Sequence, residues 1–143
     1  MGIMEIEELE AYSEAAQQAL DRLMGELANG SRCTEDTLRA VVEDPNAHLY
    51  IVREEGQIVA SACLCVAHTT EQQIGFVEAV VVSNVCRGKG YGRMLTEHLI
   101  AEAKRLKLSS LHLTSRPARV AANALYRSLG FVLHETNCYQ LKI

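Results

Sequence analysis

No stretch of this 143-residue chain approaches the ~18 consecutive apolar residues that a membrane-spanning helix needs. The N-terminus, Met1-Gly2-Ile3-Met4-Glu5, turns acidic at once and lacks the basic start and apolar run of a secretory leader, so it reads as cytoplasmic. Positive charge is not in excess. Fourteen Lys and Arg stand against eighteen Asp and Glu, a net charge of −4, and no basic field invites nucleic acid. Cys33, Cys63, Cys65, Cys86 and Cys138 form no C-x-x-C pair, so no metal site is expected. They read as reduced thiols, most of them in the core. There is no internal repeat, low-complexity tract or Pro/Gly/Ser linker, and the two prolines, Pro45 and Pro117, fall where elements should end or begin. The expectation is one domain over residues 1–143.

What remains is ordinary globular composition, 48% hydrophobic and 22% charged. Leu9, Tyr12, Ala16, Leu20, Leu23 and Leu27 recur at helical spacing and predict a helix over 7–28, stopped by Asn29-Gly30. Thr34 is placed to cap a second helix that ends at Asp44-Pro45. Apolar runs at 48–54 and 57–67 around Glu55-Gly56 predict a hairpin, and the valine-rich run 74–83 a third strand. A helix from about Tyr91 to Lys107 follows, then a strand at 110–114 and a helix from Pro117 to Leu129-Gly130. Two short strands, 131–134 and 138–143, close the chain. The order α-α-β-β-β-α-β-α-β-β is that of an α/β or α+β domain with a mixed sheet, and 76–115 is long enough for a parallel crossover.

Between the third strand and its helix lies Arg87-Gly88-Lys89-Gly90-Tyr91-Gly92. Alternating glycines accept positive φ and let backbone amides converge, and the helix that follows adds free N–H groups and its positive dipole end. Together these make an anion site. A dinucleotide fingerprint is excluded because position 93 is Arg, and no P-loop pattern is present. Taken alone, the triplet is as compatible with a flexible turn that binds nothing.

The segment resembles the [Q/R]-x-x-G-x-[G/A] signature of the GNAT superfamily of N-acetyltransferases, preceded here by Val80-Val81-Val82. Asn123-Ala124-Leu125-Tyr126-Arg127-Ser128-Leu129-Gly130-Phe131 resembles a second motif of that family, and the two together span residues 48–134. The strand Val77–Val82 is similar to that of small-amine members such as glucosamine-phosphate N-acetyltransferase. The resemblance implies the acyl-CoA N-acyltransferase fold. It also implies an enzyme in which a primary amine, on a small molecule or a peptide, attacks the thioester of acetyl-CoA directly in a ternary complex, with no metal. Two departures stand out. The family's first strand is short or missing here, and Arg119 occupies a position where many members carry an Asn.

The resemblance assigns roles residue by residue. Backbone groups of Val80, Val81 and Val82 would bind the pantetheine arm, and one N–H would face the thioester oxygen. Such donors are worth about 3 kcal/mol in measured oxyanion holes. Gly88, Gly90, Tyr91 and Gly92 would receive the pyrophosphate, with Arg87, Lys89 and Arg93 supplying charge. Arg119, Asn123 and Tyr126 recur at i, i+4 and i+7 and would share a helix face, Arg119 and Asn123 toward the coenzyme. Tyr126 would protonate the leaving thiolate, or simply pack with a satisfied hydroxyl. Glu78, the one carboxylate in an apolar strand, is the candidate base. It would share a face with Phe76, Val80 and Val82, and burial there would raise its pKa. It could equally serve only to recognise a cationic acceptor, and His68 and His112 are alternative bases. A coenzyme-A-sensing module without turnover and a pure interaction scaffold remain open. Relatives of this kind often dimerise, and the C-terminal strands are where that would occur. Acceptor choice falls to residues 7–46 and 69–73, which name no ligand.

Overall fold

The computed structural model describes residues 4–143. Met1–Ile3, the start of the segment read as unlike a leader, lie outside the described residues. The chain divides into two compact units, one ending at Leu113 and the other running Thr114–Ile143. Among the described residues, no helix is long and apolar enough to cross a membrane.

The first unit is built on one five-stranded sheet, in the order β1 (Met4–Glu8), β2 (Ala47–Glu54), β3 (Gln57–His68), β4 (Gln73–Val82), β5 (Leu111–His112). The first four are antiparallel, and β5 joins β4 in parallel. Helices α1 (Glu14–Leu27) and α2 (Glu35–Glu43) precede β2, and α3 (Tyr91–Arg105) crosses from β4 to β5. Two apolar clusters cover the two sheet faces. Leu95 and Leu99 of α3 pack on Tyr50, Val52, Ala60, Ala62, Leu64 and Val77. Ala16, Leu20, Leu23 and Leu38 of α1 and α2 pack on Ile51, Ile58 and Val81.

The predicted hairpin, third strand, second helix and α3 all form within a few residues of expectation. The start of the first helix does not. Residues 4–8 pair with β2, Ile6 opposite Val52, so the strand expected to be short or missing is a short one, five residues long, and it takes the first two residues of the predicted helix. Three glutamates among five residues look helical in sequence, but an edge strand tolerates outward charges, which also discourage pairing with other chains. Glu7 is ion-paired with Arg53 of β2. Helix α1 begins only where Ser13 can accept a hydrogen bond from the Ala16 N–H at 3.1 Å. Helix α2 opens with a reciprocal box between Thr34 and Thr37.

The second unit contains α4 (Val120–Ser128). Its end is a Schellman motif: Gly130, at φ +100°, donates to the Arg127 carbonyl, and Phe131 N–H to the Tyr126 carbonyl at 3.0 Å. The two predicted final strands, 131–134 and 138–143, are not formed. Alternating apolar residues such as Tyr139, Leu141 and Ile143 are exposed. Alternation shows which face a strand would bury, but a strand needs a partner ladder.

Candidate active site

The glycine segment is slung between two buried anchors. Cys86 ends a single 3₁₀ turn (Asn84–Cys86) and Tyr91 opens α3; both are buried, while Arg87 to Gly90 are exposed. Gly88 and Gly90 both sit at φ +84°, and a Cβ at either would meet nothing within 4 Å. Glycine is therefore required for conformation, and the space beside the loop is open. No side chain caps α3. Its first helical bond is Met94 N–H to the Gly90 carbonyl, so the N–H groups of Tyr91 and Gly92 precede the helical ladder. The buried Thr96 hydroxyl donates to the Gly92 carbonyl at 2.8 Å and stiffens the turn without consuming a donor. An uncapped helix start behind two left-handed glycines fits a pyrophosphate.

The three basic residues around the loop are not equivalent. Lys89 Nζ donates to both oxygens of Glu54, at 3.0 and 3.1 Å, and the Tyr91 hydroxyl donates to the same carboxylate. The Tyr91 and Lys89 bonds hold Glu54 below the usual carboxylate range. Arg93 pairs with Glu97 one turn along α3 at 3.0 Å. Among the described residues, Arg87 is exposed and has no carboxylate partner.

Strand β4 changes phase in its middle. Cys63 of β3 pairs with Glu78 but Ser61 pairs with Val81, so Ala79 and Val80 together oppose Ala62. Ala79 takes φ +52° to make this bulge. Val77 faces α3, and after the bulge Val80 and Val82 face α3 as well, while Val81 faces α1 and α2. The expectation that Glu78 shares a face with Val80 and Val82 is therefore wrong. One extra residue inverts the alternation, and Glu78 lies with Phe76 on the opposite face. Glu78 is also exposed, so the low-dielectric setting expected around it is absent. The β4–β5 ladder consists of Gly75–Leu111 and Phe76–His112 alone. Among the described residues, the ladder on that side stops at Phe76, so no strand pairs with the other edge of Val80–Val82.

Next to Glu78 on that face lie Cys63 and Cys65, with sulfurs 3.7 Å apart. Their mutual hydrogen bond pushes the Cys63 thiol up and pulls the Cys65 thiol down. Phe76 packs on the His112 ring at 5.6 Å, and the His112 imidazole meets Ser110 Oγ at 2.7 Å. His68, the other alternative base, is exposed at the far end of β3, 3.3 Å from Asn46 Oδ1.

In the second unit, Arg119 is the residue before α4, and Asn123 and Tyr126 lie within the helix. The Asn123 amide donates to the carbonyls of Arg116 and Arg119 at 2.9 and 2.8 Å, so it fastens the turn that starts the helix. The Tyr126 ring meets Phe131 edge-on at 5.9 Å, the apolar contact that accompanies a Schellman end. Burial pushes the Tyr126 phenol up, against a downward pull from the Arg119 charge.

Two participants escaped sequence reasoning. Ala79 carries no glycine to mark its bulge. Glu54 ends a strand 35 residues before Lys89 and gives no local sign of its partners.

Residues 6–131 match the family described as Acetyltransferase (GNAT) family. The fold is similar to that of a putative acetyltransferase from Agrobacterium tumefaciens, with a TM-score of 0.84 at 24% identity over 97% of this chain and 99% of that one. It is similar to the glucosamine-6-phosphate N-acetyltransferase of Arabidopsis thaliana, with a TM-score of 0.79 at 18% identity over 97% and 98%. An aminoglycoside N-acetyltransferase solved in complex with CoA gives a TM-score of 0.79 at 14% identity over 99% and 96%.

Proposed function

The chain belongs to the acetyltransferase (GNAT) family, and from that premise we propose that it moves an acetyl group from acetyl-CoA to a primary amine by direct attack in a ternary complex. The observation that carries this reading is the uncapped start of α3 behind two left-handed glycines. Acetyl-CoA would supply the acyl group already activated as a thioester. The amides of Gly88 to Arg93 would hold its pyrophosphate, with Arg87 as the available cation. The open edge of Val80–Val82 would align the pantetheine arm and place a backbone N–H on the carbonyl oxygen, where negative charge develops.

Proton movements fall to two side chains. Tyr126 has a phenol pushed above its ordinary value of 10.0, so it is protonated at neutral pH and can give its proton to the departing sulfur. Glu78, exposed at the bulge, would take the amine's proton through water, or would hold a cationic amine in place.

The surface around the acceptor-determining helices favours a polycation. Residues 7–46 hold ten carboxylates and three arginines. Glu8, Glu10, Glu43 and Asp44 line one cavity of about 200 Å³ beside His48. An aminoglycoside or polyamine suits that field, whereas a sugar phosphate meets repulsion. Thiol release from acetyl-CoA, run against polyamines, aminoglycosides and glucosamine 6-phosphate, tests both levels. Release with polycations and not with the phosphosugar is expected. Turnover of the phosphosugar alone would reverse the acceptor assignment, and silence with every amine would remove the enzymatic one.

A further inference from the structure

The bonds around Glu54 give the loop a second layer of organisation. Glu54 is the last residue of β2 and is held on both sides, opposite Met4 of β1 and Gln57 of β3. The turn after it, Glu55-Gly56, has φ values of 52° and 81°, the left-handed pair that closes a tight hairpin without play. This rigid corner presents one carboxylate to the loop. Lys89 reaches it from before Gly90, and Tyr91 from after. Gly90 is thus bracketed by two bonds to one point.

We propose that Glu54 is a positioning residue that clasps Lys89 and Tyr91 and so sets the Gly88–Gly92 loop in its phosphate-receiving shape before coenzyme arrives. The inference rests on the reading of this loop as the coenzyme site. It changes the part played by Lys89. With its ammonium shared between both oxygens of Glu54, Lys89 contributes little free charge to a phosphate, and its work is to hold the backbone. Tyr91 is buried and opens α3, so the same carboxylate fixes the helix start whose amides bind. A loop ordered in advance loses less freedom on binding.

Calorimetric titration of the full chain with CoA decides the matter, using Glu54→Gln, Lys89→Met and the double variant. Each single change should weaken CoA binding about tenfold by loss of preorganisation, and the double change should be no worse than either. The KM for acetyl-CoA should rise in step while kcat at saturation holds. Amide exchange over residues 88–92 should quicken in the free Glu54→Gln protein. Tyr91→Phe keeps the buried ring and removes one bond, and should lose about threefold by the same loss of preorganisation; it carries the test if Glu54→Gln fails to fold. If Lys89 grips phosphate itself, Glu54→Gln frees it and binding tightens, which overturns the clasp. Unchanged binding in Glu54→Gln overturns it as well and leaves the coenzyme site standing. A wild-type protein that binds no CoA removes the site, and the clasp with it.

Discussion

Helices α1 and α2 begin differently from α3. Ser13 and Thr34 turn their own hydroxyls onto the first free N–H groups, so both helices are closed by their own sequence. The N-cap of α3 is Gly90, which has no side chain to offer, so no side chain closes the first turn. Capping is worth about 1 kcal/mol, so an uncapped start forgoes that stabilisation. The contrast separates two helix ends closed by their own side chains from one with no side-chain cap, the end proposed to receive the coenzyme.

The sharpest way to break the comparison is Gly90→Val. A β-branched residue at φ +84° is strained, and the loop must rearrange. CoA affinity should fall at least about a hundredfold, because the donors no longer converge, with a loss of about 1–2 kcal/mol in stability. Calorimetry and denaturant melts read the two effects. Tyr126→Phe should divide binding from chemistry: kcat falls about ten- to a hundredfold while CoA affinity is retained. Unchanged turnover would leave Tyr126 a packing residue against Phe131.

Acid should loosen α3 where Glu54 is concerned. Its folded pKa lies below the ordinary 4.5, so the clasp is complete above that value and is lost as pH falls through the folded one. Lys89 is raised by the same bond, so its share is complete below 10.5 and is lost as pH rises beyond. The gap in thermal stability between wild type and Glu54→Gln should be constant between those limits and close toward acid. Thr34→Ala should cost about 1 kcal/mol and leave CoA binding untouched, which is the mirror image of the Gly90 result. The smallest effect should come from Ala79→Gly. Relief of the left-handed alanine is worth about 1–2 kcal/mol, offset by about 0.5–1 for glycine in a strand, so denaturant melts should show a net gain below about 1.5 kcal/mol.

How much of this could be read in advance depends on the range of the interaction. The Thr34 cap, the glycine loop and the Leu-Gly stop of α4 are local devices, and each was legible because residues a few positions apart suffice to define it, whereas the Ser13 cap was hidden inside the apolar spacing that predicted a helix from residue 7. The helix was expected from residue 7 because the apolar spacing begins there, whereas residues 7 and 8 close a strand whose ladder with β2 is formed by residues more than forty positions away. The 131–143 segment failed in the opposite direction: its alternation is real, yet no partner forms. Glu78 was assigned to the wrong face because strict alternation was assumed across Ala79, whose side chain betrays no bulge. Glu54 could be recognised only once the hairpin corner and the loop were seen side by side.

The bulge at Ala79 has a bearing on how such a protein diversifies. Upstream of it, the residue at 78 looks toward the helices with the acidic surface; downstream, 80 and 82 look toward α3. A single inserted residue makes one strand serve two masters whose side chains never share a face. On the function proposed above, mutational drift at 78 and its neighbours would explore new amine partners without disturbing the valines proposed to line the coenzyme's strand. The handle is kept constant while the tool it drives is free to change.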